Sequence, residues 1–217
     1  DYKNYRILDY LLQGLGYDEG LSRTIAASVV DWRDENNEVF DPPYGAENAY
    51  YESLGYQAKN RPFESLEEIM IVRGVTKEIF RDIRPFVTIY PPRGRLLINL
   101  NTASGEVLKA LARNFAGPIT NTDVYDADSL VVKILDYRRG EDGLEATADD
   151  RPVEMSRMAL TGKEKVISLM MAQHQTRTSR YIRAGITGSD AGTGITTRVE
   201  AVIDREDRSV VSWQRQP

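Results

Sequence analysis

A chain of 217 residues that is 41% hydrophobic can bury a sizeable core, as one large domain or two small ones. A net charge of −5 and a pI near 5.1 argue against broad binding to nucleic acid or an anionic membrane, since either needs a basic face to recruit phosphates. With no cysteine, disulfides, thiolate nucleophiles and zinc–thiolate sites are excluded, while the redox compartment stays open.

The chain opens on "DYKNYRILDYLLQGLGYD", without a Met and already inside a helical pattern, which suggests a longer native chain. No apolar run approaches the roughly 18 to 20 residues of a membrane span, and no signal-peptide pattern precedes the first helix. That helix is predicted from Ile7, Leu8, Leu11, Leu12 and Leu15, with Gly14 and Gly16 ending it. A second, capped by Ser22, carries Ile25, Ala26, Val29, Val30 and Trp32 and runs into the acidic stretch "DENNEVFDPPYGAENAYY". A third starts at Ser65, with Glu68 completing a capping box, and stops at Gly74. Thr76 opens a short helix with Ile79, Phe80 and Ile83, and "PFVTIY" then reads as a strand or extended segment before Pro91-Pro92.

Beyond "LLINLN", a helix is predicted over Ala103–Asn114, and another, capped by Asp128 or Ser129, covers "LVVKILDYRR". A second acidic loop, "GEDGLEATADDRP", leads to a helix bearing Val166, Ile167, Met170 and Met171. The last forty or so residues change to β-branched and aromatic runs, "SRYIRAGITG", "GITTRVEAVIDR" and "SVVSWQRQ", joined by "SDAGTG" and "EDR"; they predict a three-stranded antiparallel meander. Helices first and strands last give an α+β chain. Val30-Asp31-Trp32-Arg33 is echoed by Leu135-Asp136-Tyr137-Arg138, and Arg61-Pro62-Phe63-Glu64 by Arg151-Pro152-Val153-Glu154, so each half reads as helix, helix, acidic loop, Arg-Pro, helix. The expected domains are 1–90 and 91–175, each a helical unit with an acidic loop, and 176–217, the meander.

The first loop offers Asp34, Asn36, Glu38, Asp41, Glu47 and Asn48, hard oxygen donors of the kind calcium takes. It is not an EF-hand: Val39 stands where the turn glycine belongs, and no Glu occupies the twelfth position. The second loop sets Asp142, Glu145, Asp149 and Asp150 around Gly143, where repulsion among carboxylates would be relieved by a divalent cation; magnesium, reluctant to dehydrate, suits it less than calcium. The alternative for both loops is a solvated charge run. His174 is the single histidine and lies near a helix end with no acidic sequence neighbour, where the dipole alone favours it. No Gly-x-Ser-x-Gly, Ser-x-x-Lys or phosphate-loop motif occurs, and no pair of acids stands out for glycoside chemistry. The tyrosines at 44, 50, 51 and 56, with Trp32, read as packing for the loop.

Taken in order, "DWRD", "YGAENAYY", "NRPFESLEEIMIVRGVT", "RPFVT" and "INLNTASGEVLKAL" resemble the K component of the type II secretion system, general secretion pathway protein K, a minor pseudopilin. The strands "VEAVIDR" and "VVSWQRQ" are also similar to that family. The resemblance implies a non-catalytic protein: a pilin-like β-sheet carrying a large helical insert, anchored in the bacterial inner membrane by an N-terminal hydrophobic helix that this chain lacks, with the rest in the periplasm. It implies a tip complex with the I and J pseudopilins and calcium in the helical domain. Asp34 and Glu47 lie in matched segments and are the leading ligands, with Asn36 and Glu38 behind them; Asp142, Asp149 and Asp150 rest on composition alone. Two other classes stay open. "VRGVT" followed by "INLNTASGEVLKAL" also looks like a helix-hairpin-helix DNA-binding module, although one glycine replaces the expected pair and the acidic pI opposes it. A carbohydrate-active enzyme is the second.

Overall fold

The structure is a computed structural model that describes residues 4–216. The chain divides into two compact units, Asp1–Gln175 and Thr176–Pro217. Among the described residues, seven α-helices lie in the first: α1 (Tyr5–Gly14), α2 (Glu19–Arg33), α3 (Asn48–Tyr51), α4 (Lys77–Ile83), α5 (Gly105–Asn114), α6 (Val124–Arg138) and α7 (Gly162–Met171).

Capping decides where these helices begin. α2 starts before the predicted Ser22, because the Asp18 carboxylate accepts the Leu21 amide at 2.9 Å and satisfies an orphan donor one turn earlier. Ser22 is buried inside the helix instead. α6 likewise starts ahead of Asp128 and Ser129: Asp123 and Asp126 cap each other's amides at 3.0 and 2.9 Å. That frees Asp128 to form a two-pronged ion pair with Arg113, at 2.8 and 2.7 Å, and Ser129 to donate to Glu164 at 2.8 Å. Thr76 and Ser104 cap α4 and α5, and Thr161 caps α7.

The predicted helix after Ser65 is a 3-10 helix, Leu66–Ile71. Glu68 accepts the Ser65 amide at 3.2 Å as expected, but the run of six residues winds as the tighter helix, longer than the roughly three or four residues usual for it. "PFVTIY" forms no strand; the Phe86 amide closes a turn onto the Ile83 carbonyl at 2.9 Å.

Two hydrophobic clusters fill the first unit. One gathers Leu12, Ile25, Trp32, Ala46, Tyr51, Ile69, Val72, Ile79 and Ile83; the other gathers Ile98, Leu100, Leu108, Leu111, Leu130, Val131, Ile134, Ile167 and Met171. α1 serves both, because Leu8 and Leu12 face the first cluster and Ile7 the second, and it packs against α2 and α5. Each fully buried aliphatic side chain stabilises by about 1.5–3 kcal/mol relative to exposure.

The second unit is an antiparallel meander of β1 (Tyr181–Ser189), β2 (Thr196–Asp204) and β3 (Ser209–Gln216). Tyr181 pairs with Asp204 and Arg198 with Gln216, with a register shift at Val202/Ile203. Alternation brings Ile182, Ala184 and Ile186 opposite Ile203, Ala201 and Val199 on one face, and Trp213 pairs with Ala201 there. The α+β order of helices followed by strands is as the sequence predicts.

At the β2–β3 turn, Arg180 grips Asp204 through three contacts at 2.8–3.1 Å and reaches Glu206 and Asp207 at 2.7 and 3.1 Å. The Arg180 guanidinium holds the Asp204 carboxyl down at about 2, against an ordinary value of 3.8. A depressed carboxylate stabilises the fold above its unfolded pKa and loses that contribution as pH falls through its folded one. The strand cross-peaks in NMR spectra are therefore expected to weaken on acidification from 3.8 towards about 2, and Arg180→Gln to shift that loss to higher pH. An unchanged acid midpoint in the variant would show that the ion pair contributes nothing.

Candidate metal centre

The last turn of α2 places Asp31 on the side that faces the acidic loop, one residue before Trp32 enters the core. Asp31 is fully buried. Its Oδ1 accepts the Phe40 amide at 2.9 Å, which folds the loop back over the helix end. The loop returns through Gly45, where a Cβ would collide with Asp31 Oδ2, so only glycine lets the backbone pass this close. Two residues later Glu47, also buried, caps α3.

Asp31, Asp34 and Glu47 consequently converge, with one carboxylate oxygen from each lying within 4.8 Å of the others. Among the described residues this is the one cluster of three such groups. Asp31 Oδ2 and Glu47 Oε1 are buried and make no hydrogen bond. An ionised oxygen left in that state costs several kcal/mol on the order-of-magnitude scale for unpaired buried charge. Burial first, and then the neighbouring Asp31, pushes the Glu47 carboxyl up to about 7. Burial also raises Asp31, against the pull of the Phe40 and Ala46 amides and with the help of Asp34 and Asp41.

The donor set fits a hard divalent cation. The three carboxylates are hard oxygen donors of the kind calcium takes, two of them with an unsatisfied buried oxygen beneath a glycine cradle, and a bound cation would offset their mutual repulsion.

The other predicted donors have the following partners. Glu38 is not among the three clustered carboxylates; Asp34 Oδ1 accepts the Asn36 amide at 3.2 Å, and Asn36 Oδ1 accepts the Glu38 amide at 2.7 Å, shaping consecutive turns. Asp41 is held by Arg23, at 2.7 and 2.9 Å, and accepts from the Tyr5 hydroxyl at 3.1 Å. Asn48 bridges Asn37 and the Ala58 amide at 2.7 and 2.8 Å.

In the second loop Asp142, Asp149 and Asp150 accept from the loop's own amides and all reach the Thr147 hydroxyl, at 3.4, 2.8 and 3.3 Å. Thr147 and the Glu141 and Asp142 amides hold the Asp149 carboxyl down at about 2. Glu145 pairs with Arg138 and Arg139 at 2.7 and 3.3 Å.

The missed residue is Asp31. Its signal is present in the sequence: an acid in the last turn of a helix, followed three residues later by another, sits against the negative end of the helix dipole and calls for compensation. The echo at Asp136 is exposed and is followed three residues later by Arg139 in place of a second acid.

Aromatic side chains pin the loop beneath this centre. Tyr51, fully buried, meets Trp32 edge-on at 5.0 Å and Tyr50 at 5.1 Å, while Tyr56 packs 5.5 Å from Tyr51. Asn60 ties the loop from outside through the Asn36 carbonyl and Asn37 at 3.0 and 3.1 Å.

These features define a protein whose helical body is organised around a carboxylate-lined loop and whose chain ends in an antiparallel meander. Residues 1–92 match the family model described as Type II secretion system (T2SS), protein K. Over those residues, fewer than half of the chain, it is similar to protein K of the type II secretion system. It is similar to the type II secretion system protein K of Aeromonas hydrophila, 33% identical over 98 residues, a stretch that covers 44% of this chain and 29% of the relative. The Klebsiella pneumoniae protein K is 26% identical over 117 residues, which cover 53% and 35%. These matches therefore span about a third of the relatives' length. A chain in the crystal structure of the GspK-GspI-GspJ complex from enterotoxigenic Escherichia coli shares the fold, with a TM-score of 0.67 at 20% identity over 98% of this chain and 70% of that one.

Repulsion at the centre makes a direct prediction for protein kept in chelator at neutral pH. Glu47→Gln removes a carboxylate that is only partly ionised at neutral pH, together with its repulsion of Asp31 and Asp34, and is expected to raise the melting temperature by roughly 2 to 4 °C, the shift that about 1 kcal/mol gives in a domain of this size. A fall in melting temperature would mean that the carboxylates are not in conflict.

Proposed function

We propose that the protein is a non-catalytic minor pseudopilin of the type II secretion system, acting at the tip of the pseudopilus with the I and J pseudopilins to initiate or cap assembly and so support protein export. The observation that carries this reading is the protein K match over residues 1–92, which contain the carboxylate cluster and the aromatic floor beneath it. The protein would work at the bacterial inner membrane, with these residues in the periplasm. No helix among the described residues is long and apolar enough to cross a membrane.

The acids of the first loop fit a structural role better than a chemical one. The histidine stacks on Phe115 and faces the Leu96 carbonyl, and the three clustered carboxylates are enclosed by their own loop. Calcium held by Asp31, Asp34 and Glu47 would cross-link the end of α2 to the start of α3 and fix the loop between them. A cation bound only by the folded state stabilises it by mass action, about 2.7 kcal/mol at a hundredfold excess over Kd.

Two measurements test the two parts of this reading. Calcium is expected to raise the melting temperature by several degrees over chelator, and Asp31→Asn to abolish that increment; an unresponsive wild type would sink the metal assignment. Mixing the protein with the I and J pseudopilins of the same secretion system is expected to give a ternary complex in size-exclusion chromatography. Three species eluting separately at micromolar concentration would sink the tip-subunit assignment.

A further inference from the structure

The "VRGVT" turn, a candidate for gripping phosphates on sequence grounds, faces the carboxylate loop. Arg73 Nη1 donates to three successive carbonyl oxygens of that loop, Pro43, Tyr44 and Gly45, at 3.3, 3.4 and 2.9 Å. Its guanidinium carbon lies 5.1 Å from the centre of the Tyr50 ring, and its backbone amide donates to the Tyr51 hydroxyl at 3.2 Å. Arg73 is half-buried, and among the described residues it forms no ion pair.

The turn is also fixed against the helix that supplies Asp31. Gly74 has φ +86°, and a Cβ there would lie 2.9 Å from Ile25 Cγ1 on α2. One side of the turn therefore rests on α2 while its arginine holds the returning segment of the loop. That segment carries, in immediate succession, the three clamped carbonyls, the Ala46 amide that faces Asp31, and Glu47.

We propose that Arg73 is a positioning residue for the metal centre: by holding the Pro43–Gly45 carbonyls it sets the backbone that delivers Glu47 to Asp31 and Asp34. This rests on the calcium reading above and assigns a residue outside the carboxylate cluster to it. Arginine suits the task because a planar guanidinium presents its donors in fixed directions, whereas lysine offers a mobile point charge. Outer residues that orient ligands typically change metal affinity by about 10–100-fold when removed.

The test is calcium titration by calorimetry on wild type, Arg73→Gln and Arg73→Lys, each at a temperature where circular dichroism shows the protein folded. Arg73→Gln is expected to weaken calcium binding by about tenfold or more, with Arg73→Lys recovering only part of the loss. Should Arg73→Gln fail to fold, Arg73→Lys alone decides, since the same argument requires it to bind calcium more weakly than wild type. A variant with a lowered melting temperature but wild-type calcium affinity would overturn the inference and leave the metal centre standing. Wild type that takes up no calcium would remove both.

Discussion

Three carboxylates that the fold forces to within 4.8 Å of one another, two of them buried with an unsatisfied oxygen, set the terms for the first helical unit. Burial and like charge both act against ionisation, and the nearby Phe40 and Ala46 amides only partly offset them at Asp31. A chain that keeps such a cluster must surround it with structure strong enough to withstand it. The surroundings supply that structure through a tyrosine–tryptophan floor, an arginine clamp on the loop carbonyls and asparagine bridges across the loop.

The same constraint explains the division of labour between the two acidic loops. Both follow a 15-residue helix, and both look alike in composition. In the second, Arg138 is buried and donates to the Leu100 and Ala103 carbonyls and to Glu145, while the aspartates turn to the loop's own amides and to Thr147. Its charges are matched locally. In the first loop the corresponding turn of helix buries an acid in place of the arginine, and the neighbouring cations are directed elsewhere, Arg23 to Asp41 and Arg73 to carbonyls. The charge left over is what makes that loop the candidate metal centre, while the other is a self-capped turn.

The helical body gives this loop its rigidity. α1 contributes to both hydrophobic clusters, so α2 and its terminal Asp31 are held by packing on more than one side. Clusters built on Leu12, Ile25 and Trp32 lie directly beneath the loop, which places the polar centre at the edge of a dry core. A low-dielectric edge strengthens every electrostatic term acting there, for and against.

Periodicity located the longer helices, since apolar residues spaced for one face fix the side that is buried, though it gave neither the 3-10 geometry of Leu66–Ile71 nor the short α3; alternation in the last residues determined the meander. The resemblance of the ordered motifs to protein K likewise lay in the residues themselves and needed no coordinates. Helix starts were less legible: Asp18 and Asp123 displaced Ser22 and Asp128 because a cap is chosen by which side chain reaches an orphan amide first, and spacing does not show that. Asp34 and Glu47 were readable as candidate donors, but the burial of Asp31 could not be told from the exposure of its echo Asp136, since the two occupy the same position in similar helices. Only the tertiary structure decided between them, by burying one carboxylate beneath Gly45 and leaving the other in water, because desolvation depends on what the folded chain lays over a residue and has no expression in local sequence.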